Sequence, residues 1–175
     1  MGIDIRQATP NDASAACILL RRSIEEGCML DHDGRPEILQ AWLGNKTAQN
    51  VLGWFVSASN YAVVAECGSG EGRELAGLAL LNQAGKLALC YVHPAMFKSG
   101  VGAALLAAIE LKAREWNISK LHMHAPTSAS AFFERHGYVN AGKDKACFGM
   151  ECDFLWKRLD ECAMPADKRF CKCSQ

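Results

Sequence analysis

Neither sign of charge prevails in this chain of 175 residues, where 19 lysines and arginines face 19 aspartates and glutamates. Without a basic field nothing holds a polyphosphate backbone, so general nucleic-acid binding is excluded. Long apolar runs are missing too: the longest, residues 100–109, falls far short of the ~20 residues that cross a bilayer. The opening MGIDIRQATP carries no apolar stretch of a secretory signal. These absences lead to the expectation of a cytoplasmic protein with no membrane partner. Repeats, low-complexity blocks and linkers are lacking as well, so residues 1–159 read as one domain and residues 160–175 as a polar, cysteine-containing tail.

What the chain does have is apolar residues at 50%, enough for a real core, and nine cysteines. An odd number without a secretory segment argues for free thiols. Cys17, Cys67 and Cys90 sit inside apolar patterns, where cysteine behaves as a small core residue. The tail cysteines Cys162, Cys171 and Cys173 form a lone C-x-C without a clear fourth ligand, so no metal is expected.

Ile3 to Arg6 alternates as a strand, and the capping oxygens of Thr9-Pro10-Asn11-Asp12 precede an apolar-periodic helix through Cys17, Leu20 and Ile24. Asp31-His32-Asp33-Gly34 reads as a loop before a helix that starts at Pro36 and ends near Gly44. Tyr61 to Cys67 and Leu75 to Leu81 form a hairpin. Leu87 to Val92 is apolar on both alternating faces, the pattern of a central strand covered by helices on each side. Beyond His93-Pro94, Gly100 opens a helix to about Asn117. A short strand at Lys120 to His124, a helix at Ser128 to His136 with Gly137 as its cap, and closing strands at Tyr138 to Ala141 and Cys147 to Leu159 complete an α/β order.

The loop Lys98-Ser99-Gly100-Val101-Gly102-Ala103 joins that central strand to a helix. Two glycines spaced by one residue let main-chain amides converge on one point, where a diphosphate could meet the helix N-terminus. Close strand-helix packing explains the same glycines equally well. The loop is no Walker A motif, and Leu105 stands where a dinucleotide fingerprint needs its last glycine.

LALCYVHPAMFKSGVGAALLAAIE, followed by a short strand and ASAFFERHGYVNAG, resembles the two signature regions of the GNAT superfamily of N-acetyltransferases. With IRQATPNDA and YAVVAECGSGEGRELAGLALL the similarity covers roughly residues 3–159. The resemblance implies a GNAT-like fold, a mixed, splayed central β-sheet with helices on both faces. It also implies acetyl-CoA as cosubstrate and transfer of an acetyl group to a primary amine on an acceptor of unknown identity. On the same ground the pantetheine arm pairs with Cys90, Tyr91 and Val92, and the Val92 amide meets the oxyanion. Lys98 to Ala103 then hold the pyrophosphate. A homodimer through the closing strands is a further implication.

Three positions depart from the family pattern. Phe97 replaces a usual Gln or Arg, Pro126 replaces an Asn, and Phe133 stands where a Tyr often protonates the departing thiolate. Phe133 can line the cofactor but donates no proton, which leaves Tyr138, Tyr91 or water for that part. An alternative follows from these departures: a degenerate acyl-CoA-binding module without turnover. For the acceptor, the resemblance points to the segment with Cys28, Asp31 and His32, where Asp31 could hold an ammonium and His32 relay its proton. Asp-His-Asp-Gly is also an ordinary polar turn. Glu66, His122 and His124 are the remaining candidates for a base, and each also reads as structural.

Overall fold

The computed structural model describes residues 2–68 and 73–159, with residues 145–147 in their backbone alone. The tail and its three cysteines lie outside the described residues. The chain begins with β1 (Ile3–Gln7), followed by the helices α1 (Ala13–Gly27), α2 (Met29–His32), α3 (Pro36–Leu43) and α4 (Ala48–Val56). The hairpin β2 (Asn60–Cys67) and β3 (Glu74–Asn82) leads into β4 (Leu87–Val92) and α5 (Val101–Glu115). Then come β5 (Lys120–Pro126), α6 (Thr127–Arg135), β6 (Val139–Cys147) and β7 (Met150–Arg158).

Local chemistry accounts for these boundaries. Asp12 accepts hydrogen bonds from the Thr9 amide at 2.7 Å and the Thr9 hydroxyl at 2.8 Å, which fixes the turn feeding α1. Helix α1 then buries Ala13, Ala16, Cys17, Leu20 and Ile24, the i, i+3, i+4 face its apolar spacing demands. Where a loop was expected from Gly27 to Arg35 around Asp31-His32-Asp33-Gly34, one helical turn forms and is stopped by left-handed residues at Asp33 and Gly34. Helix α4 has no counterpart in the sequence reading. Its signal is Thr47, whose hydroxyl caps the Asn50 amide, but only Val51 of this helix is fully buried, so its apolar period is faint.

The strands form two antiparallel sheets, ordered β1-β2-β3-β4 and β5-β7-β6. They meet at one parallel bridge between Lys86 and His122, where the His122 amide donates to Gly85 O at 3.0 Å. This bridge is the mixed part of the expected mixed sheet, and beyond it β4 and β5 part. Helices α5 and α6 cover one face over a core that includes Leu105, Ile109, Leu121 and Phe133. Helices α1, α3 and α4 cover the other, around Leu20, Ile24, Trp42 and Val51.

Two expectations change. β4 has the expected helices on both faces, α5 on one and α1 on the other, but it stands at the end of its sheet rather than inside it: Leu87 and Leu89 are buried, whereas Cys90, Tyr91 and Val92 are only partly so. Among the described residues its second edge has no partner strand past the bridge, and those side chains border the gap. The cysteines are also not all free. Cys17, Cys28, Cys67 and Cys90 are free, whereas Cys152 is disulfide-bonded.

Candidate active site

The parting of β4 and β5 leaves a cleft of about 510 Å³. One wall is β4 with the loop that follows it, the other is β5, and α6 and the end of α1 close the sides. Because the His93 amide donates to Ala76 O at 2.8 Å, the antiparallel alternation turns Tyr91 and Leu89 toward β3. The main-chain groups of Cys90 and Val92 therefore face the cleft. An extended chain laid there finds an unpaired strand edge.

At the end of that edge stands the N-terminus of α5. Gly100 adopts φ +92°, a left-handed conformation that glycine takes without strain, and its carbonyl accepts the first helical bond from the Ala104 amide at 3.0 Å. The amides of Val101, Gly102 and Ala103 have no partner within the helix. Ser99 is occupied with the loop itself, its hydroxyl donating to Met96 O at 2.6 Å. A Cβ on Gly102 would lie 3.1 Å from the Phe132 ring, so this glycine lets α6 close on α5. The Val101 side chain is buried in the core. Lys98 and Arg135 border the same cleft and give it positive charge on this side. The bare amides, the cationic rim and the apolar walls fit a molecule with phosphates at one end and an extended, mostly apolar arm.

Phe133 is buried, borders the cleft and packs edge-on against Phe132 and Tyr138. Phe97 covers Gly27 at the end of α1, where a Cβ would come within 2.6 Å of its ring. Cys28 and Cys90 both border the cleft, and burial pushes each thiol up to about 12. Burial also raises the Tyr91 hydroxyl above its ordinary value.

Several expected site residues stand elsewhere. His32 is 1% exposed; its Nδ1 accepts from the Gly34 amide at 3.1 Å, and Nε2 faces Glu25 O at 3.3 Å. Both ring nitrogens are thus engaged, and the ring does not border the cleft, so a proton-relay role does not fit. Asp31 is not open to an ammonium either. Its carboxylate accepts from the Ser128 amide at 3.1 Å and from the Ser128 hydroxyl, capping α6 from a distant part of the chain. Tyr138 is likewise removed from the cleft, its ring beneath Lys157 and its buried hydroxyl without a hydrogen-bond partner among the described residues. Glu66 is held by Arg6 through two hydrogen bonds.

One pair was not foreseen. His124 on β5 borders the cleft, and its Nε2 lies 2.9 Å from Asp144 Oδ2 on β6. Its ring packs on Phe154 at 5.1 Å between centroids.

Comparison with known proteins places this geometry. The model of the acetyltransferase (GNAT) domain matches residues 33–151, more than half of the chain. No curated protein matches it in sequence. Among solved structures, a GCN5-related N-acetyltransferase from Rhodopseudomonas palustris superposes with a TM-score of 0.77 at 23% identity, over 91% of this chain and 97% of that one. The PaiA N-acetyltransferase of Thermoplasma acidophilum, solved with coenzyme A, gives 0.73 at 16% identity over 90% and 99%. The YncA acetyltransferase of Salmonella typhimurium, solved with acetyl-CoA, gives 0.68 at 18% over 94% and 98%. At these identities the structures testify to the shared fold.

Proposed function

Because the chain belongs to the GNAT acetyltransferase family, we propose that it transfers an acetyl group from acetyl-CoA to a primary amine by direct attack in a ternary complex. The observation that carries this reading is the unpaired edge of β4 running into the bare N-terminus of α5 within one cleft. When bound, acetyl-CoA supplies an acyl group already activated as a thioester. The amides of Val101, Gly102 and Ala103, with Lys98 and Arg135, would hold its phosphates. The outward main chain of Cys90 and Val92 would pair with the pantetheine arm. On the same reading the Val92 amide would face the carbonyl oxygen on which charge develops, and a preorganised N–H there would lower the barrier.

The thiols argue for direct attack. Cys28 and Cys90 are the sulfur nucleophiles that border the cleft, and both are held neutral; a neutral thiol does not take up an acyl group readily. For the departing sulfur Phe133 offers no proton, but a thiol of ordinary pKa near ~8.5 leaves tolerably as the thiolate. Phe133 also supports the second reading, a module that binds acyl-CoA without turnover.

One experiment addresses both. Calorimetry with CoA and acetyl-CoA measures binding, and thiol release with a panel of primary amines, products followed by mass, measures transfer. Amine-dependent release is the expected result. Tight acetyl-CoA binding with no release from any amine would favour the binding module, and no binding would overturn both.

A further inference from the structure

We propose that His124, oriented by Asp144, is the general base that deprotonates the acceptor amine. The proposal rests on the amine-transfer reading above and adds to it the group that receives the proton.

The placement begins with the strand. On β5 the buried residues Leu121, Met123 and Ala125 face α5 and α6. The alternation therefore turns His122 and His124 to the opposite face, the side of α1 and α2. Of the two, His124 borders the cleft and has a carboxylate partner. A carboxylate at Nε2 fixes the tautomer with the proton on that nitrogen and leaves Nδ1 as a lone-pair acceptor. Ring packing on Phe154 holds the imidazole plane. With a quarter of its side chain exposed, His124 can still pass a proton to water.

Its surroundings suit the task. His122 lies beside it on β5, where burial and then Lys86 favour the neutral ring. Across the cleft stand Cys28 and Tyr91, both kept uncharged by burial. Asp31 is engaged with Ser128, and Lys143 of β6 with Thr127 and Asp153. Lys98 and Arg135 belong to the phosphate side. Asp144 is thus the carboxylate that meets the ring.

The proton balance closes. The acceptor arrives as R–NH3+ and gives one proton to Nδ1 of His124. The freed lone pair forms the N–C bond to the acyl carbon as the C–S bond breaks, and the second nitrogen-bound proton passes to the thiolate, directly or relayed by water. His124 then returns its proton to solvent.

The test uses the whole protein and an amine found by thiol release. For wild type, kcat/KM for the amine should fall on an acidic limb, where the base is protonated. His124→Gln should lower kcat by about 10²–10⁴-fold and abolish that limb, while acetyl-CoA affinity by calorimetry stays within about twofold. Asp144→Asn, a positioning change, should cost less and move the limb toward acid. Retention of wild-type kcat/KM within threefold together with the same limb in His124→Gln would overturn the proposal. So would a loss in His124→Gln confined to acetyl-CoA affinity. If wild type itself releases no thiol with any amine, the transfer reading has failed, a result distinct from an active wild type that is indifferent to His124.

Discussion

Replacing Gly77 by alanine should push α5 off the sheet and weaken cofactor binding without touching a ligand-contacting side chain. A Cβ at residue 77 would stand 2.8 Å from Leu105 Cδ1, 2.9 Å from Tyr91 O and 2.9 Å from Val101 Cγ1. Two of these partners are the buried side chains that seat α5 and the third is backbone of β4, so no flexible tip can swing away. Reaching ordinary contact at ~3.5 Å needs a displacement of about 0.6–0.7 Å. Overpacking of this kind costs roughly 1–3 kcal/mol, and alanine returns up to about 1 kcal/mol by restricting the unfolded chain. The balance runs from near zero to about 2.5 kcal/mol, and its middle, about 1–2 kcal/mol, corresponds to a Tm lower by roughly 2–8 °C in a chain of this size. Because Val101 opens α5, the amides at its N-terminus shift with it, and CoA should bind several-fold more weakly. Thermal unfolding and calorimetry on Gly77→Ala measure both. A Tm equal to or above wild type with unchanged CoA affinity would show that the contact between α5 and β3 yields freely, and the argument from close approach would be wrong.

Other expectations follow from single contacts. Asp31→Asn and Ser128→Ala should each cost about 0.5–2 kcal/mol by uncapping α6, with the double variant no worse than the single ones, as denaturant titration would show. Arg6 and the Thr9 bonds hold the Asp12 carboxyl well below its ordinary 3.8 despite partial burial. The stabilisation from Asp12 is therefore complete above that value and disappears as pH falls below it, so Tm should drop below pH 4 in wild type and less steeply in Asp12→Asn. With both cleft thiols pushed up to about 12, iodoacetamide at pH 8 should leave Cys28 and Cys90 unlabelled in the folded protein, and acetyl-CoA should leave no acetyl adduct on either, both read by peptide mass.

Much of the fold was legible because its signals are local. The limits of β4, the start of α3 at Pro36 and the glycine-bearing turn into α5 each announce themselves within a few residues. Helix α4 did not, since its one fully buried residue, Val51, leaves no periodic stripe. The site divides the same way. The loop at residues 98–103 is a contiguous motif and could be read directly. Asp31 could not: beside His32 it looks like half of a polar pair, but its partner Ser128 lies 97 residues away, and the contact exists only once α2 has packed against α6. The pairing of His124 with Asp144 is of the same kind, a contact across β7 between strands whose register no local pattern announces.

The misreading of β4 shows where apolar patterning stops being informative. Alternation and apolar runs report which faces of a strand meet the core, and Leu87-Ala88-Leu89-Cys90-Tyr91-Val92 is apolar on both. They carry nothing about the strand's edges, because every residue presents the same amide and carbonyl whatever its side chain. A strand paired on both edges and one whose second edge opens on a cleft can share a sequence. What separates them here lies elsewhere: among the described residues the ladder between the two sheets is the single bridge of Lys86 and His122, just before β4 begins, and Gly77 lets α5 sit low enough to bring its bare amides to the end of the open edge. The chemistry proposed for the cleft depends on that edge, and so the part of the site carried by main chain had to come from topology.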